Sequence, residues 1–127
     1  YAAGDIAEFF DPTVGLQHQI GNWMNAMSQG RTVAKTMSGE KTSFDLVSSY
    51  ATNILGLETI FIGDTHIAIA EQVHLIGSVA DGGITQVFER NGRVVGGALI
   101  GRNTDRAPIT AAIKERCSAI DILEKIR

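Results

Sequence analysis

Asn91-Gly92 is the feature that most narrows what this chain can fold into. It stands between residues 84–90 and 93–100, two runs rich in β-branched and apolar side chains. A two-residue Asn-Gly turn accepts the positive φ angles that match the twist of paired antiparallel strands, so the two runs should form one hairpin. Three more strands are expected before it, at 46–54, at 57–62 after the turn glycine Gly56, and at 72–79. Gly96, Gly97 and Gly101 lie in or after the last strand and mark a bulge or a close backbone approach. Helices should follow. Thr104 or Asp105 can cap a first helix with Pro108 in its opening turn and Ile109, Ala112, Ile113 and Cys117 on its apolar face. Ser118 can cap a second, with Ile120, Leu123 and Ile126 behind it. Strands followed by helices give an α+β domain, an antiparallel sheet of about five strands with helices on one face.

A different zone precedes this one. The polar stretch Gly39-Glu40-Lys41-Thr42-Ser43 reads as a connector, dividing the chain at 1–42 and 43–127. Within the first zone Asn22 is a good N-cap. Trp23, Ala26, Met27, Gly30, Val33, Ala34 and Met37 follow at helical spacing, and Gly39 sits where a C-terminal glycine cap belongs. That spacing turns Met24, Met27 and Met37 towards a core. Residues 9–20, with Asp11-Pro12 and Gly15, read as a surface loop. The opening Tyr1-Ala2-Ala3-Gly4-Asp5 reads as a strand entered partway along, as expected of a piece cut from a longer chain or of a processed terminus.

Composition excludes several classes. Apolar residues make up 44% of the 127 and charged residues 20%, as in a globular protein. No apolar run approaches the roughly 18 residues that span a bilayer. A net charge of -3 with both signs interspersed offers no basic face to nucleic acid or to an anionic membrane. The lone Cys117 cannot form an internal disulfide, so a reducing cytoplasm is the expected setting, and it reads as a small core hydrophobe. His18, His66 and His74 are scattered, so no metal is expected. Arg102, Arg106, Lys114 and Arg116, mixed with Asp105 and Glu115, read as a solvated helix face. No nucleophile–base or carboxylate pair stands out, and no catalytic residue is assigned.

Three segments carry a resemblance to a known family. Tyr1-Ala2-Ala3-Gly4-Asp5 resembles the Ala-x-Gly-Asp end of the second FAD fingerprint of two-dinucleotide-domain flavoprotein reductases. Asn22-Trp23-Met24-Asn25-Ala26-Met27-Ser28-Gln29-Gly30 resembles the Trp-x-Asn-Ala-x-x-Gln-Gly helix of ferredoxin and rubredoxin reductases. Val94-Val95-Gly96-Gly97-Ala98-Leu99-Ile100-Gly101 looks like a strand of their C-terminal domains, and Ser49-Tyr50, Ile54, Gly56 and Gly63-Asp64 fit the entry of that sheet. By this resemblance the chain is the C-terminal portion of an FAD-dependent pyridine nucleotide-disulfide oxidoreductase, covering the end of the flavin domain and the C-terminal domain.

The resemblance implies a cofactor site at Gly4, Asp5, Asn22, Trp23 and Met24. Gly4 would let the backbone approach FAD, and Asp5 would accept a ribityl hydroxyl. The N-terminus of the helix at Asn22, Trp23 and Met24 would face the pyrimidine edge of the isoalloxazine, where its dipole stabilises negative charge. The full-length protein would take electrons from NAD(P)H through FAD to an acceptor. Expected partners are the remainder of its own chain, a redox acceptor protein and a second copy. The phosphate-binding Gly-x-Gly-x-x-Gly and the NAD(P)H domain of that family are absent from these residues. Gly92–Gly101 lies in a predicted hairpin rather than between a strand and a helix, so it is no phosphate loop. The piece alone should therefore bind FAD poorly and transfer no hydride. An autonomous, non-catalytic interaction or dimerisation domain is the alternative.

Overall fold

The computed structural model describes residues 1–126, and Arg127, the end of the expected second domain, lies outside them. The chain separates into two compact units, one of Tyr1–Ser48 and one from Ser49 onward. Within the described residues no helix is long and apolar enough to cross a membrane.

The second unit is the α+β domain that the hairpin signal implies. Its strands are β3 (Ser49–Ile54), β4 (Leu57–Gly63), β5 (Gln72–Ser78), β6 (Gly83–Arg90) and β7 (Arg93–Ile100). They form one antiparallel sheet in the order β3-β4-β7-β6-β5. Asn91 and Gly92 both have positive φ, 51° and 69°, as a two-residue turn of this hand requires. The β6–β7 register slips between Phe88 and Glu89, which pair with Gly96 and Val94, so the extra residue of the expected bulge is Val95, in the glycine-bearing strand itself. β3 starts three residues later than the sequence pattern implies. Its partner β4 ends at Gly63, where φ is +63°, and Ser49 pairs with Ile62 as the last rung.

The core lies between one face of this sheet and α2 (Arg106–Glu115). Ile60, Ile62, Val87 and Leu99 from the sheet and Ile109, Ala112 and Ile113 from α2 are all buried. Gly97 admits the helix: a Cβ there would stand 2.9 Å from Ile109 Cγ2. α3 (Ala119–Lys125) is capped by Ser118, whose Oγ accepts from the Asp121 N–H at 3.3 Å. Its buried positions are Ala119 and Ile122, followed by Ile126, and Ile120 faces outward. Ile120, expected on the apolar face with Leu123 and Ile126, is therefore not part of it, and Ala119 and Ile122 take that role.

The other sheet face is apolar and more open. Tyr50 pairs with Phe61 and Ile54 with Leu57 on it, and the Tyr50 and Phe61 rings stack at 5.1 Å. β3 is a sheet edge, and Leu55, in the turn that follows it, is 99% exposed at φ +52°.

The first unit is the smaller of the two. Its buried apolar residues are Ala7, Val14 and Val47. Residues 9–20, expected as a loop, contain a hairpin of β1 (Phe9–Asp11) and β2 (Leu16–His18). Asp11 closes its turn, Oδ1 accepting from the Thr13 N–H at 2.7 Å and its carbonyl from the Gly15 N–H at 2.8 Å. The opening residues form no strand. They have no partner strand here, and the chain turns at once, Ala7 N–H to Gly4 carbonyl at 2.9 Å.

α1 (Trp23–Met37) begins at Asn22 as expected, and Gly39 follows its C-cap Ser38 with φ +91°. Its packing inverts the expectation. The residues it buries are polar, Asn25 and Gln29, whereas Trp23, Gly30, Ala34 and Met37 are exposed and Met27 is half-buried. The methionine face therefore does not turn into a core. The apolar positions recur every three or four residues and so share a stripe, and Asn25 and Gln29 lie together on another face.

Candidate functional site

The Gly4–Asp5 turn and the first turn of α1 meet in the first unit. Gly4 has φ +89°, and a Cβ on it would lie 3.6 Å from the Ala26 Cβ. Its N–H donates to Gln29 Oε1 at 2.7 Å. The Asp5 carboxylate is exposed and lies beside Gly21, with Oδ2 at 3.7 Å from where a Gly21 Cβ would stand. Gln19 Nε2 donates to the Asp5 carbonyl at 2.7 Å. A carboxylate thus stands next to the residue that precedes the cap of α1.

The cap itself is fully used. Asn22 Oδ1 accepts from the Asn25 N–H at 2.8 Å, and its Nδ2 donates to Ser48 Oγ at 2.8 Å. The first helical bond is Ala26 N–H to the Asn22 carbonyl, 3.0 Å. That leaves the N–H groups of Trp23 and Met24 with no acceptor among the described residues. No acidic side chain occupies the first turn to offset the dipole. Trp23 is 71% exposed, and Met24 beside it is partly exposed. The end of the helix thus offers two free amide donors next to an accessible aromatic and thioether surface.

Two buried polar side chains have spare capacity. Asn25, wholly buried, donates through Nδ2 to the Ile20 carbonyl at 2.9 Å, and its Oδ1 has no partner. Gln29 is 5% exposed. With Oε1 committed to Gly4, its Nε2 has no acceptor. Buried amides are normally satisfied, so this region is short of polar partners within the described residues.

The structure therefore draws Gly4, Asp5, Asn22, Trp23 and Met24 into one small region. Asn25, Gln29, Gln19 and Ser48 hold it, and none of these was assigned a role from the sequence. The available signal was a pair of amides four residues apart on a helix of apolar spacing, which places them on one face.

Elsewhere the polar groups are structural. Arg102 and Asp105, expected on a solvated helix face, are drawn into the second unit. Asp105 accepts from Thr85 Oγ1 and from Arg102 Nε, both at 2.7 Å, and Arg102 Nη2 donates to the Ile126 carbonyl. With its carboxylate so engaged, Asp105 stands at the N-cap of α2 without making a side-chain cap. His66 is exposed, with its N–H on Asp64 Oδ1 at 2.9 Å, and half-buried His74 lies 2.6 Å from Glu89. Among the described residues no three His, Cys, Asp or Glu side chains gather as a metal site would require.

No protein-family model matches the sequence, and no curated protein matches it either. Solved structures do resemble it in fold. One is the covalent putidaredoxin reductase–putidaredoxin complex, with TM-score 0.80 and 18% identity over 90% of this chain. A ferredoxin reductase from Rhodopseudomonas palustris gives 0.74 and 20% over 98%. The NADH:rubredoxin oxidoreductase from Clostridium acetobutylicum gives 0.64 and 21% over 98%. The chain spans only 27%, 33% and 32% of those three proteins. It has the fold of part of an FAD-dependent pyridine nucleotide-disulfide oxidoreductase.

Proposed function

We propose that this chain is the C-terminal part of an FAD-dependent NAD(P)H oxidoreductase, supplying one wall of the flavin pocket and a surface for an electron acceptor or a second copy. Residues 1–42 would be the end of the flavin domain and 43–127 the C-terminal domain. The compact units divide a few residues further on, after Ser48. The observation that carries this reading is the exposed Asp5 carboxylate beside Gly21, one residue before the cap of a helix whose Trp23 and Met24 amides have no acceptor among the described residues.

The residues fit the cofactor. A carboxylate accepts sugar hydroxyls, two free N–H groups at a helix N-terminus favour negative charge, and an exposed indole offers a face to a planar ring. Gly4, with no side chain and a positive φ, lets a ligand come close to the backbone. When bound, FAD would supply the redox chemistry, accepting a hydride from NAD(P)H and passing electrons to an acceptor. Asp5 would hold the ribityl chain, and the backbone of Asn22, Trp23 and Met24 would stabilise the charge of the reduced ring. The acceptor is proposed to be a small redox protein, since one structural neighbour is captured with putidaredoxin. A reducing cytoplasm remains the proposed setting.

The rival reading is an autonomous interaction domain. The self-contained core of the second unit favours it. A flavin titration separates the two. The 127-residue chain is compared with the same region extended upstream to its natural start. A yellow extended protein that oxidises NAD(P)H beside a colourless short one supports the flavoenzyme. No flavin in the extended protein leaves the interaction domain.

A further inference from the structure

We propose that Gln29 and Gln19 are positioning residues, a two-sided clamp that fixes the Gly4–Asp5 turn so that the Asp5 carboxylate stands at the start of α1. The inference rests on the flavin reading above and names the residues through which Asp5 would act.

Apart from the Ala7 N–H to Gly4 carbonyl bond of 2.9 Å, the turn has little else to hold it. Residues 1–6 join no strand, and Tyr1 and Ile6 are both exposed. Gly4 sits at φ +89°, a conformation open to glycine at no cost but not enforced by it. Two glutamines from different stretches of chain supply the restraint. Gln29, in α1, accepts the Gly4 N–H through Oε1 at 2.7 Å, and Gln19, before the helix, donates Nε2 to the Asp5 carbonyl at 2.7 Å. One glutamine thus holds the main chain before the carboxylate and the other holds it after.

The two differ in kind. Gln29 is buried, so removing its amide strands the Gly4 N–H, which has no other acceptor. The Gly4 donor also fixes which end of the amide faces the turn. Gln19 is exposed and competes with water, so its bond is worth less. Neither glutamine needs to touch the cofactor. Both set where a carboxylate that does so is found.

The test is an FAD titration on the full-length protein that carries this chain, followed by flavin fluorescence. It compares wild type, Gln29→Leu, Gln19→Leu, Asp5→Asn and the double variants with Asp5→Asn. Q29L and D5N should each weaken FAD binding about tenfold and Q19L about threefold. If the glutamines act through Asp5, adding Q29L or Q19L to D5N should weaken binding no further than D5N alone. A glutamine that merely supports the fold would multiply the loss instead, with a matching fall in the urea midpoint of the apoprotein. Multiplied losses, or wild-type affinity in both single variants, overturn the clamp. Should Q29L fail to fold, the exposed Gln19 and its cycle with Asp5 decide the matter. Failure of the wild-type protein to bind FAD is a different result and overturns the flavin reading together with the clamp.

Discussion

Asp105 and Thr85 are joined by a buried hydrogen bond of 2.7 Å that ties the loop before α2 to strand β6. Arg102 completes the group, with Nε on the same carboxylate oxygen at 2.7 Å and Nη2 on the Ile126 carbonyl. Removing the carboxylate leaves a partly buried guanidinium and a buried hydroxyl without their partner. Asp105→Ala should cost about 3 kcal/mol of folding stability. Thr85→Val, which removes one donor and keeps the shape, should cost about 1 kcal/mol. Urea unfolding gives both values, and equal losses for the two would show that Arg102 does not share the site.

Gly96 in β7 lies against the main chain of Asp64, and a Cβ there would collide with the Asp64 carbonyl. The neighbouring Asp64 N–H to Val95 carbonyl bond, 2.9 Å, holds the two segments together. Gly96→Ala must push backbone from backbone, which no rotamer relieves. A loss of about 3 kcal/mol is expected, read from the thermal midpoint. Gly92→Ala, in open space but at φ +69°, should cost less.

Much of the second unit was legible, because its signals are local. Asn91-Gly92 dictates a turn whatever surrounds it, and Ser118 caps the helix that follows it, as Asn22 does in the first unit. Other features depend on partners the sequence does not name. Asp105 looks like a cap, yet Thr85, twenty positions earlier, claims its carboxylate. β1 and β2 are three residues each, too short for a periodicity to show, and Asp11-Pro12 signals only that the chain turns. The apolar spacing of α1 was read correctly as a stripe and wrongly as a buried one. In the site, Gly4, Asp5 and Trp23 could be singled out only by resemblance, and Gln19 and Gln29 not at all. A side-chain amide bonded to a distant main-chain group leaves no periodic trace.

Gly30 offers a way to ask whether something covers that stripe. It lies in mid-helix, and a Cβ there would meet nothing within 4 Å. In the 127-residue chain Gly30→Ala should therefore stabilise the protein by about 1 kcal/mol, through helix propensity alone. In the full-length protein the gain should vanish if another element packs on this face. The same gain in both would mean that the face stays open.

Trp23 is the only tryptophan and is mostly exposed, so it reports on the proposed pocket directly. The short chain should show the red-shifted emission of a hydrated indole, readily quenched by iodide. In the FAD-loaded full-length protein, emission should be strongly quenched and iodide should lose access. Unchanged emission on flavin binding would remove Trp23 from the neighbourhood of the ring.

The edge strand β3 has a practical corollary. Ser49–Ile54 carries no charge and no proline along its outer side, and it leads into an exposed Leu55. Natural sheets guard such borders with lysines, prolines or a covering loop, because unpaired main-chain groups recruit more strands. A preparation of this chain by itself should thus thicken into fibrils on prolonged concentration. One lysine at Thr52 should keep it clear.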